Sequence, residues 1–160
     1  PPLRRSKADR KTVDLDAAGA VALRREHPLF RRRNFFAGRA VKGSTTKDIH
    51  WLKPDGSEMT EREWAHEFAR CLGVYLDGQA MAENDRRGQP VHDDNFLLLF
   101  NSHHESLEFR LPELPAGDDW HGVLDTHGDN GLGPERSFQG GDSYPLESRS
   151  LVLLIQRKQP

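Results

Sequence analysis

Apolar positions along the chain change period once. Between residues 14 and 27, Leu15, Ala18, Val21, Ala22 and Arg25 recur at spacings of three and four, which predicts one amphipathic helix. Asp14 or Asp16 can cap it. Pro28 ends it, because a residue preceding proline is pushed out of the helical region. Arg24, Arg25 and His27 fill the last turn, where cations suit the negative end of the helix dipole. A helix this short needs a partner surface to be stable. The stretch 37–48 is rich in Gly, Ser and Thr, has no period and reads as a linker. Ile49-His50-Trp51-Leu52 then reads as a short strand closed by the turn Pro54-Asp55-Gly56. Thr60-Glu61-Arg62-Glu63 is a capping box that opens a short helix, with Trp64 and Phe68 on one face.

From residue 71 the pattern is that of strands. Cys71–Leu76 ends at the turn pair Asp77-Gly78, and Asp85-Arg86-Arg87-Gly88 marks another turn. Phe96–Asn101 is apolar on both faces, so it belongs in the middle of a packed sheet. Leu107–Pro112 alternates, with Leu107, Phe109 and Leu111 inward and Glu108 and Arg110 outward. Only His103-His104-Glu105-Ser106 separates these two runs, which predicts a hairpin. Trp120–Asp125 and Ser150–Ile155 are further strands, on either side of a Gly/Asp/Ser loop over 127–143. Short strands joined by turns predict a mainly β fold, an antiparallel sandwich over residues 71–160. Residues 13–70 are expected to hold the terminal helix, the linker and the short helix, after a disordered or truncated start over 1–12.

Composition narrows this picture. A chain of 160 residues with 35% hydrophobic content supports one core. It is too short for a complete (β/α)8 barrel, which needs about 200 residues or more. No apolar run reaches the ~18 residues of a membrane helix, and the first residues lack the apolar stretch of a signal peptide. A single cysteine, Cys71, excludes an intramolecular disulfide and predicts a cytoplasmic address. The net charge of −2 hides an asymmetry: the first 50 residues carry 13 basic against 5 acidic side chains. Those cations are not interleaved with aromatics in a nucleic-acid-binding pattern, so neither a nucleic-acid nor a membrane partner is expected.

Four segments resemble one known family, in order and approximate spacing. They are Leu23–Phe36 (LRREHPLFRRRNFF), Lys47–Gly56 with Met59 and Trp64, Leu72–Gly78 with Asp94–Glu105, and the closing Tyr144–Leu154. Together they are similar to the end of bacterial isoamylase-type glycogen debranching enzymes of the α-amylase family, glycoside hydrolase family 13. The resemblance implies one or two helices left from the end of a (β/α)8 barrel, followed by a C-terminal all-β domain. It implies a parent reaction, hydrolysis of α-1,6 branch linkages in glycogen or limit dextrin. It also implies that the catalytic carboxylates lie on barrel strands outside this chain, since none of the family's catalytic motifs appears here.

The residues support that negative. Glycoside hydrolysis needs two carboxylates about 5–9 Å apart, one with a raised pKa. Asp93 and Asp94 are sequence neighbours, so on a strand they would point to opposite faces, and they read as a loop or strand entry. No catalytic residue is assigned. The histidines, His103-His104 among them, lack metal-ligand spacing, and no metal or organic cofactor is expected. Cys71 reads as a small buried hydrophobe. Trp51, Trp64, Trp120 and Tyr144 are the aromatics that could stack on a sugar, with Trp64 and Trp120 expected in the core. Trp51 with Asp48 and His50 is the one candidate glycan-binding group. The chain itself is expected to be structural, capping the barrel with the face of helix 14–27, Leu29-Phe30 and Phe35-Phe36. The alternatives are a glycan-binding module, or a partner-binding domain using the basic strip Arg24 to Arg39.

Overall fold

The structure is a computed structural model that describes residues 17–40, 46–64, 70–113, 119–128 and 131–157. The expected start over 1–12, the caps Asp14 and Asp16, Leu15 and Phe68 lie outside the described residues. The described residues form two helices, α1 (Ala17–Glu26) and α2 (Glu61–Trp64), and a 3-10 turn over Pro28–Arg31. Eight strands accompany them: β1 (Ile49–Leu52), β2 (Cys71–Leu76), β3 (Asn95–Asn101), β4 (Leu107–Arg110), β5 (Trp120–Asp125), β6 (Ser137–Phe138), β7 (Ser143–Leu146) and β8 (Ser150–Gln156).

All pairings between these strands are antiparallel. A six-stranded sheet runs β1-β2-β3-β8-β5-β6, and a two-stranded sheet pairs β4 with β7. The core between the two sheets holds Tyr75, Leu97, Leu99, Phe109, Trp120, Tyr144, Val152 and Leu154. The sheets approach closely at Gly73, where a Cβ would stand 2.6 Å from Cζ of Phe109. The strand at 49–52 is the edge of the large sheet, paired with β2. The sandwich therefore draws in residues ahead of the boundary expected at 70, because β2 needs a second partner for its backbone groups.

The expected hairpin between Phe96–Asn101 and Leu107–Pro112 does not form. β3 pairs with β2 on one side and β8 on the other, while β4 crosses to the small sheet and pairs with β7. The reason is visible in the residues. β3 is buried on both faces and must sit centrally, whereas β4 exposes Glu108 and Arg110 and can face water. Asn101 stands where this crossing meets the one from β7 to β8. Its Nδ2 donates to the carbonyls of Glu105 at 2.9 Å and Glu147 at 3.0 Å, and its Oδ1 accepts from the His103 N–H at 2.9 Å. The second crossing passes through Arg149 at φ 49°, whose N–H donates to the His103 carbonyl at 3.0 Å.

α1 forms within the expected stretch. It buries Gly19 and packs Leu23 against the sheet, leaving Val21 48% exposed. Leu29, expected on the barrel-facing surface, is instead 1% exposed, because it packs into the cluster on the chain's own sheet.

Candidate functional site

The outer face of the large sheet, away from β4 and β7, carries Ile49, Trp51, Leu72, Val74, Leu76, Phe96, Leu98, Phe100, Leu153 and Ile155. The strap of residues 27–38 covers one end of it. Leu29 inserts beside Phe96, and Phe30 meets the Phe96 ring edge-on at 4.6 Å between centroids. At the other end Trp51, Leu72, Leu98, Phe100, Val123 and Leu124 remain only half-buried.

Carboxylates pin the strap. Asp93 accepts from Nδ1 of His27 at 2.7 Å and from the Leu29 N–H at 2.9 Å. Asp48 accepts from Arg32 at 3.0 Å and from the backbone N–H groups of Ala37 and Gly38 at 2.9 and 3.0 Å. Glu83 accepts from the N–H groups of Arg33 and Asn34, and Arg32 stacks over the Phe36 ring at 4.2 Å. Burial on its own would raise the Asp48 pKa. The Ala37 and Gly38 amides and the Arg32 guanidinium outweigh it and hold the carboxyl below its usual value.

The three expected glycan-binding residues do not meet in one site. Asp48 is 1% exposed beneath the strap and has no surface to offer a sugar. His50 and Trp51 are adjacent on β1 and point to opposite faces, His50 toward Tyr75 and Trp51 onto the outer face. Trp51 instead meets Trp64 edge-to-face, with centroids 5.3 Å apart. Trp64 was expected in the core and is 49% exposed, since α2 lies beside the edge strand and Trp51 is the ring it packs on. Trp120 is in the core as expected. Tyr144 is buried too, donating its hydroxyl to Asp125 at 3.2 Å, so it is withdrawn from glycan contact.

The capping box forms with one difference in its bonding. The Glu63 carboxylate accepts from the Thr60 N–H at 2.8 Å and also from the Thr60 hydroxyl at 2.9 Å. The Lys53 ammonium at 2.8 Å, with the two Thr60 groups, brings the Glu63 pKa down to about 2. Asp55 and Glu58 are likewise held below their usual values. The Ser57 hydroxyl and amide lower Asp55; for Glu58, burial acts upward and is outweighed by Lys47 and His50. A general acid for glycoside cleavage needs the opposite shift.

Among the described residues, two groups each bring three potential metal ligands within 4.8 Å of one another: His103 with His104 and Glu105, and His27 with Asp93 and Asp94. In the second, His27 and Asp93 bond each other as part of the strap's anchorage. Cys71 is half-buried against the inter-sheet core, and desolvation pushes its thiol up to about 11. It is therefore expected to react with a neutral-pH disulfide reagent at least tenfold more slowly than a free cysteine, because only the thiolate attacks. A thiol titration of the folded and the urea-unfolded chain checks this.

Sequence reasoning missed the roles of Arg32 and Glu83. Arg31, Arg32 and Arg33 are alike in the sequence, and only burial separates the middle one as an anchor. Phe35 and Phe36, expected together on the barrel-facing surface, part company: Phe35 is 99% exposed, whereas Phe36 lies beneath the Arg32 guanidinium.

Comparison with known proteins matches these features to one family. The family model for the isoamylase C-terminal region covers residues 48–155. The chain is 41% identical over 150 residues to the glycogen operon protein GlgX homolog of Mycobacterium tuberculosis, covering 90% of this chain and 20% of that protein. It is 26% identical over 145 residues to an isoamylase of Flavobacterium sp, covering 86% of this chain and 18% of that enzyme. An isoamylase of Pseudomonas amyloderamosa is 23% identical over the same length. The chain thus spans about a fifth of the length of the curated relatives it matches. This chain belongs to the isoamylase C-terminal family.

Proposed function

We propose that this chain is the non-catalytic C-terminal module of an isoamylase-type enzyme that hydrolyses α-1,6 branch linkages in glycogen or limit dextrin, and that it caps the catalytic barrel. The observation that carries the reading is the unfinished outer face of the large sheet. Its apolar side chains continue from fully buried Phe96 to half-buried Leu98 and Phe100 without a polar break. An apolar face built that way awaits a covering surface. Asp48, Asp55, Glu58 and Glu63 all have lowered pKa values, so none of these four suits the role of general acid. A cytoplasmic address belongs to the same reading, since Cys71 is the single cysteine and no described helix is long and apolar enough to cross a membrane.

A second reading has its own observation. The corner formed by Trp51 and half-exposed Trp64 is a surface on which a glucan chain could stack. One experiment separates the two: co-sedimentation of the purified chain with glycogen, alongside release of reducing ends. The capping reading expects neither. Co-sedimentation lost on Trp51→Ala favours the glycan-binding module. Reducing-end release that survives repurification overturns both, because a catalytic pair would then lie within these residues.

A further inference from the structure

We infer that Phe35 and the arginines around it are an anchor that inserts into an apolar pocket rimmed by carboxylates, on the part of the enzyme outside this chain. The inference rests on the capping reading and gives that contact a specific chemistry.

The first observation is that Phe35 is held out rather than left loose. The backbone N–H groups of Arg33 and Asn34 donate to Glu83 at 2.9 and 3.1 Å, immediately before it. Those of Ala37 and Gly38 donate to the buried Asp48, two and three residues after it. Between these clamps Phe36 turns inward beneath the Arg32 guanidinium, and Phe35 turns outward with 99% of its surface in water. A fixed backbone removes most of the ordering cost of binding. A bulky aromatic presented this way has the form of an interface hot spot.

The second observation concerns charge. Arg31, Arg33 and Arg39 flank Phe35 and are exposed. The turn that follows Glu83, closed by the Gly88 N–H on the Asp85 carbonyl, carries exposed Arg86 and Arg87. None of these five has a carboxylate partner among the described residues, although the chain has two more acidic than basic side chains overall. All five are arginine, which is enriched at protein interfaces where lysine is depleted. Arginine offers only donors, so the matching rim supplies acceptors, and carboxylates also supply the opposite charge. An α-glucan lacks that charge. The occupant is a protein surface on the rest of the same enzyme: the chain spans about a fifth of the length of the relatives it matches, which leaves most of such an enzyme to supply that surface.

The test compares the isolated 160-residue chain with a hybrid in which this chain replaces the matching 20% of the Mycobacterium tuberculosis GlgX homolog. Within the isolated chain Phe35 touches almost nothing, so Phe35→Ser is expected to leave the melting midpoint within about 2 °C. In the hybrid the same substitution is expected to lower the module's midpoint by several degrees. Arg31→Glu with Arg33→Glu should do the same, with a loss that shrinks as salt rises. Phe35→Trp, which keeps an aromatic, should retain most of the effect. Equal midpoints for Phe35→Ser and the parent hybrid, with the module still unfolding together with the rest, overturn the inference and leave the capping reading standing. A parent hybrid whose module unfolds separately overturns the capping reading, and the inference with it. Phe35-dependent dimerisation of the isolated chain, or Phe35-dependent binding of a linear maltooligosaccharide, overturns the assignment of the occupant.

Discussion

Asp48→Ala is expected to cost about 3–5 kcal/mol of folding stability, measured by urea unfolding at neutral pH. Removing the carboxylate leaves the Arg32 guanidinium, whose side chain is 6% exposed, without its ion-pair partner. It also strands the backbone donors of Ala37 and Gly38. Arg32 would keep its bond to the neutral Met81 carbonyl at 3.3 Å, and the other carboxylate near it, Glu83, is 4.0 Å from Nε and already accepts two backbone N–H groups. For a domain of this size such a loss is a large share of the total. Arg32→Met in the same background should recover part of it, because the uncompensated buried charge is then gone.

The same pair carries a pH signature with a definite sign. The folded Asp48 pKa lies below its ordinary value of 3.8, so its contribution is fully present above that value. It is lost as the pH falls through the lower folded value. Stability of the parent chain should therefore drop more steeply below about pH 4 than that of Asp48→Ala, and the two curves should converge in acid. Parallel curves would mean that Asp48 is not ionised against Arg32.

Asn101→Leu is the second large effect, expected at about 2–4 kcal/mol despite an apolar replacement of similar volume. The side chain is 2% exposed and serves two chain crossings at once. Its amide donates to Glu105 and Glu147, and its carbonyl accepts from His103. Leucine satisfies none of these backbone groups. Asn101→Asp keeps the acceptor for the His103 N–H, but at neutral pH it turns a negative oxygen toward the two carbonyls. It should be at least as damaging there and milder in acid, where the protonated carboxyl can donate again. Urea unfolding of both variants at pH 7 and pH 4 checks the pattern. A neutral Asn101→Leu would mean that the two crossings are held by strand pairing alone.

These two residues mark where reading the chain stops working. Strand positions were legible because burial on a sheet leaves a period-two record: β2, β3, β4, β5 and β8 each lie where alternation or a continuous apolar run predicts them. Partnership was not legible. The short segment after β3 suits a hairpin by length, and the same length also bridges two stacked sheets. Asn101, whose amide bonds the backbone of both crossings, is one polar residue at a strand end. The helical stripe Val21–Ala22 was legible as apolar, but what covers it was not, because periodicity gives a face and not its neighbour.

The candidate site divides along the same line. Trp51 was singled out by its polar sequence neighbours, yet its partner in space is Trp64, 13 positions on, rather than Asp48 or His50. Alternation along β1 separates His50 from Trp51, a consequence that follows from the strand assignment itself. The burial of Asp48 does not follow from it, since that depends on a strap arriving from residues 32–38.

By itself the sequence determined the β-rich class, the order of the strands, the capping box at Thr60–Glu63 and the family. Each is written in near-neighbour residue types and spacings, which act before any long-range contact forms. Only the tertiary structure decided which strands share a sheet, which arginine of Arg31-Arg32-Arg33 is buried, and which of two adjacent phenylalanines faces water. Those outcomes depend on hydrogen-bond and charge partners 10 to 66 residues away along the chain. No local pattern carries that information.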